Sequence, residues 1–154
     1  MIRPAALLAL LVLAACEAAV LPAGGGADGP ATAAPGAMGP LLNAFRASRG
    51  VGPAVPDAAL MRAAQAHADD MAAKGTFSHT GSDGSSPGAR ARAAGCAWGA
   101  AAENIAQGQG TPAEAAGWWE GSPAHRANML DARYDRFGYG RAGELHVLLF
   151  ADRC

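Results

Sequence analysis

Residues 144–150, Glu-Leu-His-Val-Leu-Leu-Phe, constrain this chain more than any other stretch, because after the glutamate nearly every position is apolar. A strand with one wet face alternates in polarity; one that does not is buried on both faces and needs packed layers above and below it. Just upstream, Phe137-Gly138-Tyr139-Gly140-Arg141 and a turn at Gly143 supply the other arm of a hairpin. Everything before the hairpin has helical rather than alternating period. The expected arrangement is helices sandwiching a small sheet.

The helices can be placed by their start and stop residues. Residues 41–49 form a short helix presenting Leu41, Leu42 and Phe45, ended by Gly50. Asp57 caps a longer one running to about Lys74, with Leu60, Ala64, His67 and Met71 on one face and Gly75 as its stop. His67 lies on that apolar stripe and is read as a packed, hydrogen-bonded histidine rather than a ligand. Ser86-Pro87 opens a helix through Ala94, Thr111-Pro112 another through about Glu120, and Ser122-Pro123 a last one through Leu130.

Composition bears on how large a core these elements can enclose. Of 154 residues, 51% are hydrophobic, but 41 are alanine and 37 are larger; 8 of those 37 lie in residues 1–15, leaving 29. One small domain can be built from that supply, and a second or a polytopic membrane protein cannot. Residues 1–15 carry one positive charge, a short apolar run and small residues before Cys16, the pattern of a secretory signal peptide. Leu13-Ala14-Ala15-Cys16 resembles the bacterial lipobox, which makes Cys16 the expected lipidation site of a cell-envelope lipoprotein. Glu17 is not the aspartate that retains some lipoproteins at the inner membrane, so the expected destination is the outer membrane, with a periplasm-facing or secreted form as the alternative. Residues 17–40 are Ala/Gly/Pro-rich and read as a tether spanning on the order of 25–30 Å as a coil. The globular domain is placed at residues 41–154. A formal charge of −1 gives no electrostatic reason to expect a nucleic-acid partner, and the membrane is reached through the lipid anchor alone.

In an oxidising compartment, the two cysteines of this domain, Cys96 and Cys154, are most simply a disulfide. The competing reading, a reactive or metal-binding thiol, lacks a neighbouring cysteine at ligand spacing.

Ligand-type residues concentrate in residues 77–84, 102–106 and 118–130, each read as the edge of an element. Two histidines and one or two glutamates there suit Zn²⁺ or acid/base chemistry equally well. Their wording is more specific than their spacing. Phe77-Ser78-His79, Glu103-Asn104-Ile105-Ala106, Trp119 followed by Ser122-Pro123-Ala124-His125-Arg126-Ala127-Asn128-Met129-Leu130, and Gly138-Tyr139-Gly140 occur in that order. This series resembles the CAP superfamily of cysteine-rich secretory proteins, antigen 5 and plant pathogenesis-related proteins, in its short bacterial form, over residues 41–150.

The resemblance implies an α+β fold, a three-layer α-β-α sandwich with a small, mostly antiparallel central sheet, and a cleft lined by His79, Glu103 and His125. Those three are the expected cleft residues and the candidate ligands of a divalent metal such as Zn²⁺. Glu120 is the candidate fourth member, although the family's second glutamate would fall at Ser122 here. The resemblance further implies a monomeric binding or interaction module for a sterol, a fatty acid or an envelope or host component. A metal-dependent hydrolase of peptide or cell-wall material and a structural envelope protein are the alternatives. No catalytic residue is assigned: the hydrolase-like Gly84-Ser85-Ser86-Pro87-Gly88 lacks a preceding buried strand, and Gly108-Gln109-Gly110 lacks the rest of a dinucleotide fingerprint. Asn104, Arg126 and Asn128 are expected to fix loops by hydrogen bonding, and Trp98, Trp118 and Trp119 to fill core.

Overall fold

In a computed structural model, residues 35–108 and 110–154 are described; the leader, Cys16 and most of the tether segment lie outside them. A 3₁₀ turn at Pro35–Ala37 leads into α1 (Met38–Ser48), then β1 (Val55–Pro56), α2 (Ala58–Lys74), α3 (Pro87–Ala93), β2 (Ala101–Gln107), α4 (Pro112–Gly121), α5 (Pro123–Leu130), β3 (Arg136–Ala142) and β4 (Leu145–Ala151). The strands form one sheet in the order β1-β3-β4-β2, parallel only where β1 meets β3.

β4 is central and buried at every position. Val147, Leu149 and Ala151 face α2 and α3, in a cluster with Leu60, Ala64, Ala68, Met71 and Ile105. Leu148 and Phe150 face the other way, into a cluster with Leu42 and Phe45 of α1, Trp119 of α4 and Met129 of α5. The fold is the α+β three-layer sandwich.

Close approach of α2 to β3 explains how so alanine-rich a chain packs. Gly138 and Gly140 lie against α2, where an added Cβ would run into the Leu60 carbonyl and the Ala64–Gln65 peptide, and α2 meets them with buried Ala59, Ala63 and Ala64. Small residues on both sides let the helix axis sit near the sheet, so alanine serves as core. Phe137 and Tyr139, between and beside those glycines, project to the α1 layer.

The helix ends behave as their residues dictate. The Asp57 carboxylate accepts from Ala59 and Leu60 N–H groups, Gly75 closes α2 at φ 62°, and Thr111 with Glu114 forms a capping box on α4. α1 begins three residues before its expected start, and Met38 is fully buried, so the packed domain reaches into the segment read as tether. β1 and β2 are additions to the predicted elements. Cys96 and Cys154 are bonded across 58 residues, joining the end of α3 to the C-terminus.

Candidate functional site

β2 is an edge strand, and its neighbouring residues Glu103 and Asn104 point to opposite layers. Each organises one side of the candidate site.

On the α2 side, Glu103 carries a side chain that is 1% exposed. Its Oε1 is 2.8 Å from His79 Nδ1, and its Oε2 accepts from Arg90 Nη2 at 2.8 Å. Arg90, on α3, also donates to the carbonyls of Ser85 and His79, tying the loop between α2 and α3 to the carboxylate. Below them, His67 of α2 is buried, donates from Nε2 to the Ser78 carbonyl at 2.9 Å, and lies 3.9 Å from Glu103 Oε1. Burial holds the His67 imidazole below its ordinary pKa, outweighing the attraction of Glu103. His67 is packed and hydrogen-bonded, as its place on the apolar stripe predicts, but it also flanks the site.

On the other side, Asn104 donates to the His125 carbonyl at 3.0 Å and accepts from Asn128 Nδ2 at 2.9 Å. These bonds fix the first turn of α5, which presents the half-buried His125 imidazole. Burial lowers its pKa, and the charge of His79 lowers it further, so the two imidazoles share one electrostatic environment. His79 and Glu103 are thus in direct contact, and His125 lies near enough to His79 for their charges to interact. Glu120, in the last turn of α4, is half-buried; its carbonyl accepts from Arg126, but its carboxylate makes no hydrogen bond or ion pair with the other three.

Among the described residues no three His, Cys, Asp or Glu side chains converge as metal ligands. Both Glu103 oxygens accept hydrogen bonds, one from His79 and one from Arg90, so Glu103 orients the His79 ring and is not itself a free ligand. Trp118 is 45% exposed rather than core, whereas Trp119 is buried and donates to the Ile105 carbonyl.

Arg90 is the site residue that sequence reasoning missed. An arginine on a short helix after Ser-Pro reads as a solvated charge, and only the fold brings it to Glu103.

The carboxylate facing Arg90 is an acceptor, so His79 Nδ1–H donates to it, and in the neutral ring Nε2 carries the lone pair. With half of the His79 side chain exposed, that nitrogen can accept a hydrogen bond or a proton from a bound molecule.

These elements define an α-β-α sandwich domain with a histidine–glutamate pair on its edge strand. The profile described as "Cysteine-rich secretory protein family" matches residues 41–144, and the chain belongs to that family. Among curated proteins, an uncharacterized protein of Bacillus subtilis, YkwD, is 36% identical over 100 residues, covering 65% of this chain and 39% of the relative. The chain thus spans about two-fifths of that relative's length. Among solved structures, an extracellular SCP-domain protein of Bacillus anthracis superposes with a TM-score of 0.72 at 24% identity, over 74% of this chain and 38% of the other. An outer surface protein of Borrelia burgdorferi superposes with a TM-score of 0.66 at 20% identity, over 73% and 87%. These neighbours are extracellular or surface proteins, and among the described residues no helix is long and apolar enough to cross a membrane.

Proposed function

We propose that the protein is an exported, lipid-anchored binding module that holds an envelope-derived or host-derived ligand in the His79–His125 cleft without consuming it. The observation that carries this reading is the state of Glu103: a carboxylate shut from solvent, with both oxygens engaged, is a positioning group and not a free base or metal ligand. Among the described residues no hydroxyl or thiol hydrogen-bonds to either imidazole, so no nucleophile is activated there. Phe77, 48% exposed and two residues from His79, supports an amphiphilic ligand such as a fatty acid, its headgroup on the imidazoles and its chain on the aromatic ring. The Leu13-Ala14-Ala15-Cys16 motif and the extracellular character of the structural neighbours support display at the cell surface.

The test titrates the mature protein with a fluorescent fatty acid and a fluorescent sterol. Saturable binding that weakens by about tenfold or more in His79→Ala and in His125→Ala supports the reading, the size expected for losing a hydrogen bond to a charged group. Absence of saturable binding for both probes overturns the amphiphile assignment. Metabolic labelling with a radioactive fatty acid, lost in Cys16→Ser, tests the anchor.

Hydrolysis is the second reading, favoured by the His79 tautomer that leaves Nε2 as an acceptor at the cleft mouth. Release of new amino or reducing ends from purified cell-wall polymer, abolished in His79→Ala, would establish it.

A further inference from the structure

The hydrogen bonds around His79 close into a circuit. Arg90 Nη2 donates to the His79 carbonyl at 3.1 Å and to Glu103 Oε2 at 2.8 Å, while Glu103 Oε1 meets Nδ1 of the same histidine at 2.8 Å. One guanidinium nitrogen thus touches the backbone of His79 directly and its imidazole through the carboxylate. Nη1 donates to the Ser85 carbonyl at 2.8 Å, a second bond that holds the guanidinium in place. His67, the other imidazole near Oε1, has its Nε2 on the Ser78 carbonyl and does not compete for the carboxylate. Of the three side chains in the circuit, that of His79 is 51% exposed, against 10% for Arg90 and 1% for Glu103.

The helix that carries Arg90 has other anchors. The Ser86 hydroxyl caps its N-terminus, and the Gly88 carbonyl accepts from Trp98 Nε1 at 2.8 Å. The Trp98 ring packs where a Gly88 Cβ would lie and carries the Arg92 guanidinium on its face, and the Cys96–Cys154 bond follows just beyond the helix end. A helix held at so many points does not need a buried arginine to keep it there, since buried ion pairs are inefficient stabilisers.

We propose that Arg90 is a positioning residue that sets the hydrogen-bond polarity of the site, and through it selects ligands that carry a donor. Arginine has donors only, so Arg90 claims one acceptor atom of residue 103, and whatever atom remains is the one that faces His79. With glutamate the remaining atom is also an acceptor. The imidazole proton is therefore fixed on Nδ1, and the neutral ring offers a ligand the bare Nε2. This rests on the binding reading given above and narrows it: the head of the amphiphile must present a hydroxyl, an amide N–H or an un-ionised acid. A ketone head, with acceptors only, would set lone pair against lone pair.

The test is the isosteric change Glu103→Gln, read first without any ligand. In the mature chain at about pH 8, where an ordinary imidazole is neutral, two-bond proton–nitrogen NMR spectra should place the His79 proton on Nδ1. In Glu103→Gln, Arg90 claims the amide oxygen and the NH₂ group faces His79, so the proton should move to Nε2. In the double variant Arg90→Met, Glu103→Gln, the amide is free to turn its oxygen to the histidine, and Nδ1–H should return. A wild-type proton on Nε2, a tautomer unchanged by Glu103→Gln, or a double variant that keeps the inverted tautomer would each overturn the proposal. The second reading compares a fluorescent sterol with its 3-keto analogue. The wild type should favour the alcohol by about tenfold, and Glu103→Gln should lose that preference. Equal affinity of the wild type for both would also overturn the proposal. Failure of either sterol to bind counts against the amphiphile reading alone, because the tautomers decide the role of Arg90 without a ligand.

Discussion

Arg90 Nη2 meets Glu103 Oε2 at 2.8 Å with both side chains at least nine-tenths buried, so a helix of seven residues is fastened to the edge strand by one ion pair. Removing either partner strands the other charge. Arg90→Met should cost about 3–5 kcal/mol in denaturant unfolding, and the double variant Arg90→Met, Glu103→Leu should cost clearly less than the sum of its two singles. Additive costs in that cycle would show that the pair is not coupled.

The seam between α2 and β3 should be intolerant of a single methyl. Gly138→Ala and Gly140→Ala place Cβ against helix backbone, which cannot rotate away, so each should destabilise by about 3 kcal/mol or more. Gly143→Ala, where there is open space but φ is 57°, should cost only about 1 kcal/mol. Equal costs at the three positions would remove the close-approach explanation.

Stability should fall below neutral pH. Burial lowers the pKa of His67, His125 and His146 in the folded chain, so between the unfolded value of about 6.5 and those lowered values the unfolded state binds more protons. The contribution is intact above about pH 6.5, is lost progressively as pH drops, and levels off below the folded pKa values. His146 is fully buried with Nδ1 2.8 Å from the Tyr139 hydroxyl, whose pKa burial pushes up to about 12. Urea midpoints measured from pH 8 to pH 5 should decline in the wild type and decline less steeply in His146→Gln. A flat profile would contradict these depressed values.

Reduction of the Cys96–Cys154 bond should lower stability by about 4 kcal/mol, the loop-closure entropy of its 58-residue span. The comparison is a melting experiment with and without reductant, alongside Cys96→Ser with Cys154→Ser. An unchanged melting temperature would mean that the bond constrains little.

The helices and the hairpin were legible in the sequence because their boundaries are chemical. Asp57 before an apolar stripe, Gly75 after it, Thr111 three residues before Glu114 and the unbroken run to Phe150 each have one local meaning. β2 was not legible as a strand. Ala-Ala-Glu-Asn-Ile-Ala-Gln has a single β-branched residue, and its pairing with β4 is decided by partners 38 to 50 positions away. α1 was shortened by the Gly39-Pro40 pair, which reads as linker, although Pro40 sits in the first turn of the helix where it is tolerated. His79, Glu103 and His125 were found through their wording, whereas Arg90 depends on tertiary placement alone. Glu120, chosen for its distance along the chain from Trp118, ended outside the Glu103 network.

The opposed directions of Glu103 and Asn104 have a consequence for quality control of the fold. A one-residue slip of β2 against β4 would turn the carboxylate toward α5 and the amide toward Arg90, dismantling both walls at once. The Glu103–Arg90 and Asn104–His125 hydrogen bonds therefore double as a register check, since both form only in a chain that has zipped its edge strand correctly.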